Sequence, residues 1–91
     1  MKLVVIGGGS SYTPELIEGV ILHHHSLPIS EVVLVDIKAG EEKLNINTAF
    51  SKRMIKKAGL PISVSGTLNR REALAGADFI ITQMRVGGLD A

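Results

Sequence analysis

The chain begins with MKLVVIGGGSSYTPEL, residues 1–16. Within it, the run 2–6 is short, apolar and rich in β-branched residues, and it ends in three glycines, a pattern typical of a strand buried on both faces of a sheet. Thr13 followed by Pro14 predicts the N-cap and first position of a helix, because proline lacks the N–H that the first turn leaves unpaired. The opening stretch therefore predicts a strand, a glycine loop and a helix in direct succession.

The rest of the chain continues this alternation of strands and helices. Three further apolar runs predict strands at 32–36, 62–65 and 78–82, and the predicted helices are 13–24, 41–58 and 70–75. The longest helix is expected to bury an apolar stripe, which consists of Ile46, Ala49, Phe50, Met54 and Ala58. Gly59 predicts a left-handed end to that helix, and Asn69 with Glu72 predicts a capping box for the next one.

Strands that alternate with helices at this spacing predict an α/β fold. Right-handed crossovers return successive strands to one parallel sheet, so we expect a Rossmann-like sheet of order 3-2-1-4 with helices on both faces, the order found in doubly wound folds. That order corresponds to one half of a doubly wound sheet plus one strand. It would leave the fourth strand as a bare hydrophobic edge, so we expect the 91 residues to be the amino-terminal part of a larger domain, truncated before the remaining strands.

Composition excludes several classes of protein. Ten Lys and Arg against nine Asp and Glu give a net charge of +1, and only 3% of residues are aromatic, which argues against a nucleic-acid partner. The chain has no cysteine for a disulfide or a thiolate metal site. Its apolar start is too short for a signal peptide or a membrane span. We therefore expect a cytoplasmic protein with no membrane partner.

The glycine loop is the first candidate site. Gly7 and Gly9 occupy the first and third places of a dinucleotide fingerprint, but its sixth place holds Tyr12 instead of glycine. Ser10, Ser11 and the free N–H groups at the start of the helix could bind a pyrophosphate, which the helix dipole favours. The alternative is a tight glycine turn that binds no ligand.

Asp36 is the second candidate. It ends the second predicted strand, where a carboxylate would accept hydrogen bonds from the adenosine ribose hydroxyls and repel a 2′-phosphate. The residue therefore favours NAD over NADP. The alternative is a solvated turn residue or a helix cap.

Arg85 is the third candidate. It follows the fourth strand at the carboxyl edge of the sheet, and its planar guanidinium could bind a phosphate or carboxylate through two hydrogen bonds. A plain surface arginine is the alternative. His23, His24 and His25 point in different directions on a helix, so a metal site there is disfavoured. The basic residues of the long helix are interpreted as a solvated face.

The motifs together resemble a known family. The stretches 7–16 (GGGSSYTPEL), 33–36 (VLVD), 70–79 and 83–87 (QMRVG) look like the amino-terminal segment of family 4 glycoside hydrolases, and within them the 6-phospho-beta-glucosidases. The resemblance spans essentially all 91 residues. In that family the phosphate loop is longer and the helix starts later, so Tyr12 is compatible with the loop.

The resemblance implies an unusual glycosidase that is NAD-dependent rather than built on two carboxylates. Such enzymes bind NAD and a divalent metal, usually manganese, and act on a phosphorylated disaccharide or aryl glucoside by transient C3 oxidation, elimination and addition of water. By resemblance, the cofactor-binding positions are Gly7, Gly9, Ser10, Ser11, Tyr12 and Asp36, and Arg85 lies in the substrate segment. The metal ligands and the catalytic base would lie outside this chain.

Further expectations follow from the resemblance. The full-length protein is expected to be a homo-oligomer, and the 91 residues alone are expected to be inactive. Two other functions remain open from the residues: a NAD-dependent dehydrogenase of the lactate or malate type, and a non-catalytic nucleotide-sensing module.

Overall fold

The computed structural model describes residues 1–83, which form four strands and three α-helices. In chain order the elements are β1 (Lys2–Ile6), α1 (Thr13–Leu22), β2 (Glu31–Val35), α2 (Glu41–Ala58), β3 (Ser63–Thr67), α3 (Arg70–Leu74) and β4 (Phe79–Thr82), with a short 3-10 turn at Lys38–Gly40 before α2. The predicted alternation is confirmed, with boundaries that shift by one or two residues.

The four strands form one parallel sheet in the order β3-β2-β1-β4. β1 lies in the interior of the sheet and pairs with β2 on one side and β4 on the other. The predicted order 3-2-1-4 and the Rossmann-like class are therefore confirmed. In a parallel sheet all carboxyl ends meet at one edge, which places the loops after β1, β2 and β4 next to each other.

Alternating side chains of the central strands divide the core between the two faces of the sheet. On one face, Leu3 and Val5 pack with Val32 and Leu34 in a cluster that also holds Ile17 of α1 and residues of α2. The opposite face is smaller: Val4, Val33 and Val35 pack against Ala73 of α3. Helices cover both faces of the sheet, as predicted, and β1 is buried from both sides.

The start of α1 differs from the prediction in its cap. The helix has Pro14 in its first turn as expected, but Tyr12 occupies the N-cap position and makes no side-chain capping bond. Thr13 is wrongly predicted as the cap because its hydroxyl is used elsewhere: it donates to the Gly8 carbonyl at 2.9 Å. Thr13 is completely buried and fastens the helix to the glycine loop.

The buried face of α2 also differs from the prediction. Its bounds and its left-handed end at Gly59 (φ +71°) are confirmed, but the expected stripe of Ile46, Ala49, Phe50, Met54 and Ala58 is wrong. Only Met54 of these packs partly against the core, while Ile46 and Phe50 are exposed. The helix buries Leu44, Ser51 and Ile55 instead, a face with the same period but with a polar residue at its centre.

Ser51 supplies a stability prediction. Its side chain is fully buried, and its hydroxyl has no hydrogen-bond partner among residues 1–83. A buried hydroxyl without a partner retains its desolvation cost. We expect Ser51→Ala to stabilise the protein by about 1 kcal/mol, measured as a higher urea midpoint with an unchanged m-value. Destabilisation by the variant would show that the hydroxyl has a partner in solution.

The outer edge of β4 is apolar and open. Phe79 and Ile80 are largely exposed, and within residues 1–83 no strand pairs with β4 on that side. An apolar groove of about 460 Å³ runs between β4 and α1. The predicted bare edge is confirmed for the described part of the chain.

No helix in residues 1–83 is both long and apolar enough to cross a membrane.

Candidate functional site

A crevice of about 510 Å³ opens where the strands end, within the size range of small-molecule sites. It lies at the carboxyl edge of the sheet, where open α/β folds bind their ligands. Its lining comes from the ends of β1 and β2 and from the segments that follow β2, β3 and β4: Ile6, Gly7, Val35, Asp36, Ile37, Leu68, Arg70 and Gln83. The apolar groove beside β4 has few polar groups and lies away from the glycine loop.

The glycine loop, residues 7–12, is fixed to the sheet by its own backbone. The N–H groups of Gly7 and Gly8 both donate to the Val35 carbonyl at 2.8 Å. Gly7 has a φ of +85°, and a Cβ there would lie 2.8 Å from the Gln83 carbonyl oxygen. This position therefore requires glycine for both its conformation and the space it occupies.

Asp36 is part of the same structure. The residue is 9% exposed, and its carboxylate accepts one hydrogen bond from the Gly9 N–H and another from the Ile37 N–H, each at 2.7 Å. Gly40 leaves room for it, because a Cβ at that position would lie 2.8 Å from the carboxyl carbon of Asp36. Asp36 is also one of the residues that line the crevice.

Two side chains from other elements hold the loop in place, one directly and one through Thr13. The Asn47 amide, on α2, donates to the Gly8 carbonyl at 2.9 Å and to the Ser10 carbonyl at 2.8 Å. The Gln83 amide, after β4, donates to the Thr13 hydroxyl at 3.1 Å, which itself donates to the Gly8 carbonyl. The loop is therefore tied to α1, to α2 and to the ends of β2 and β4.

The structure brings most of the candidate cofactor positions together. Gly7 and Asp36 line the crevice, and Gly9 is hydrogen-bonded to Asp36. Ser10 is buried, with its hydroxyl accepting from the Tyr12 N–H at 3.2 Å. Ser11 is exposed, as is Tyr12, whose side chain is 64% accessible. Their roles in cofactor binding stay predictions, and Arg85 lies outside the described residues.

Three site residues escaped the sequence analysis. Arg70 is an exposed residue of α3 that lines the crevice beside Leu68, and no pattern within its own helix indicates that position. Asn47 lies on the buried face of α2, three residues after Leu44 and four before Ser51, so a correct choice of face would have revealed it. Gln83 reaches Thr13 only through the sheet topology, across 70 positions of sequence, and no local pattern indicates that contact.

Among residues 1–83, no three His, Asp or Glu side chains lie together as metal ligands.

The chain matches the model of one protein family, described as family 4 glycosyl hydrolase, over residues 2–91.

Curated relatives are similar over the entire chain. It is 59% identical to a probable 6-phospho-beta-glucosidase of Bacillus subtilis and 56% identical to a 6-phospho-beta-glucosidase of Escherichia coli, each over all 91 residues. Those alignments cover 21% and 20% of the two relatives. The chain thus spans about a fifth of the length of these proteins.

Solved structures share the fold. The 6-phospho-beta-glucosidase of Thermotoga maritima, solved with manganese, NAD⁺ and glucose-6-phosphate, matches 99% of this chain and 21% of its own with a TM-score of 0.83 and 40% identity. A 6-phospho-alpha-glucosidase from gut microorganisms, solved with NAD and Mn²⁺, matches 98% of this chain and 20% of its own with a TM-score of 0.85 and 32% identity.

Proposed function

Because this chain belongs to glycosyl hydrolase family 4, we propose that it supplies the dinucleotide-binding part of a NAD- and manganese-dependent 6-phospho-β-glucosidase. Its substrate would be a phosphorylated disaccharide or aryl β-glucoside. On this proposal, residues 1–91 alone bind NAD weakly and hydrolyse nothing.

The observation that carries the proposal is the hydrogen bond between the Gly9 N–H and the Asp36 carboxylate. It joins the glycine loop after β1 to the carboxylate after β2 at 2.7 Å, beside an open crevice at the carboxyl edge of the sheet. A dinucleotide needs these two elements side by side, one for its pyrophosphate and one for its adenosine ribose. The crevice beside this contact gives a ligand a place to bind, which a glycine turn without a ligand would not require.

The residues present fit NAD at both ends of this contact. Asp36 would accept hydrogen bonds from the ribose hydroxyls, and its negative charge would repel the 2′-phosphate of NADP. The backbone at Gly7 would allow the ligand to approach closely, because no Cβ fills that part of the crevice. The exposed N–H of Ser11 would donate to a phosphate oxygen at the start of α1.

When bound, NAD would supply the transient oxidation of the sugar C3 hydroxyl and its later reduction. This chain's residues would hold the cofactor in place by binding its pyrophosphate and its adenosine ribose, as argued above. The proposal assigns the divalent metal no ligand within residues 1–83, where the side chains present do not form a site for it.

The experiment measures cleavage of a chromogenic aryl 6-phospho-β-glucoside by the complete enzyme. Cleavage is expected only when NAD and manganese are both present, with no net formation of NADH, since the hydride returns to the sugar. The unphosphorylated aryl β-glucoside is the control substrate and is expected to react far more slowly. Cleavage that continues at the same rate after NAD is removed would contradict the proposal.

A dehydrogenase of the lactate or malate type would give a different result. It would accumulate NADH in proportion to the substrate consumed and release no aglycone. A nucleotide-sensing module would bind NAD without turning over either substrate. The same assay therefore separates the three functions.

A further inference from the structure

Asn47 occupies an unusual place for a polar side chain. It lies on the core-facing side of α2, between the buried residues Leu44 and Ser51, and it is itself half-buried. Its side-chain amide reaches from α2 to the glycine loop, where it donates to the Gly8 and Ser10 carbonyls at 2.9 and 2.8 Å. A single side chain thus contacts two peptide units of the loop.

These two bonds set the direction of two N–H groups. In a trans peptide the C=O and the following N–H point in opposite directions. Holding the Gly8 carbonyl toward α2 therefore turns the Gly9 N–H toward Asp36, where it donates at 2.7 Å. Holding the Ser10 carbonyl in the same way turns the Ser11 N–H away from α2, and that N–H has no acceptor among residues 1–83.

Both carbonyls also have a second donor, so Asn47 is not needed to satisfy them. The Thr13 hydroxyl donates to Gly8 at 2.9 Å, and the Thr13 N–H donates to Ser10 at 3.1 Å. Loss of the Asn47 amide leaves neither buried carbonyl unpaired, so the fold should survive it. What is lost is the tie between the loop and α2, which restricts the orientation of the two peptide units.

We propose that Asn47 is a positioning residue that orients the glycine loop for the pyrophosphate of the dinucleotide. The inference rests on the proposed function, since it requires that the loop binds a dinucleotide. It predicts a specific energetic pattern: the phosphate-binding end of the site depends on Asn47, while the adenosine end depends on Asp36. Asp36 keeps its Ile37 contact when Asn47 is absent.

The test compares Asn47→Ala with Asn45→Ala, an exposed asparagine of the same helix, in the complete enzyme. We expect Asn47→Ala to bind NAD about tenfold more weakly by calorimetric titration, the effect of one to two hydrogen bonds. Its affinity for adenosine, which has no phosphate, should change less than about twofold in an NMR titration. Asn45→Ala should leave both affinities unchanged.

Asn47→Asp provides a second variant of nearly the same size. Its carboxylate would face two carbonyl oxygens instead of donating to them, so it should weaken NAD binding more than alanine does. Equal weakening of NAD and adenosine by Asn47→Ala would show a merely structural role and overturn the inference. Unchanged NAD affinity in both variants would also overturn it, whereas a wild-type enzyme that binds no NAD would instead refute the proposed function.

Discussion

Gly8→Ala is expected to destabilise the protein by about 3 kcal/mol, the upper end of the cost of overpacking a well-packed core. A Cβ at this position would lie 2.7 Å from the Leu34 Cβ and 3.1 Å from the Leu34 Cα. Leu34 is fully buried in β2, inside the sheet, so its backbone cannot move aside without breaking strand pairing. The measurement is equilibrium unfolding in urea, where the midpoint should fall with the m-value unchanged.

Gly19→Ala is the matched control. Gly19 lies inside α1, and a Cβ there meets no atom within 4 Å among the described residues. Because alanine has the higher helix propensity, this variant should be more stable by up to about 1 kcal/mol. Equal and small effects at both glycines would show that β2 and the loop are not in the close contact described above.

Asp36→Ala is expected to weaken NAD binding about 100-fold, or about 2.7 kcal/mol. The variant removes the charged acceptor for the ribose hydroxyls, and bonds to charged groups contribute about 1.5–3 kcal/mol each. It also leaves the Gly9 N–H without its acceptor, which loosens the loop. NADP should lose much less affinity, because the repulsion of its 2′-phosphate disappears together with the carboxylate.

Glu18→Ala controls for the change in net charge. Glu18 is exposed on α1, does not line the crevice and carries the same charge as Asp36. It should bind both cofactors like the wild type in calorimetric titration. An Asp36→Ala enzyme with wild-type NAD affinity would remove Asp36 from the binding site while leaving the family assignment intact.

The sheet could be predicted because the apolar runs and the residues that end them are strong, local signals in the sequence. Four apolar runs, each bounded by glycine, proline or polar residues, mark the strands, and the strand order of doubly wound sheets then predicts 3-2-1-4, as observed. The cap of α3 was also local: Asn69 accepts from the Glu72 N–H at 3.0 Å. In a capping box the Glu72 carboxylate would accept from the Asn69 backbone N–H. Here it accepts from the Asn69 side-chain amide instead.

The errors have a common cause in tertiary contacts. On α2, hydrophobicity favoured the side that holds Ile46 and Phe50, but the face toward the core carries Asn47, whose amide donates to two carbonyls of the glycine loop. Thr13 stands in a sequence typical of an N-cap, but its hydroxyl donates to the Gly8 carbonyl instead of capping the helix. In both cases a side chain bonds to the backbone of the glycine loop, and helix propensity alone does not predict such a contact.

The position of β1 in the sheet has a consequence for biosynthesis. β1 is translated before both of its partner strands, which are residues 31–35 and 79–82, so its second edge stays unpaired until β4 has been made. At 5–20 residues per second, translating the intervening chain takes roughly 4–16 s. A strand from the interior of the finished sheet is therefore the one whose second edge stays unpaired longest during synthesis.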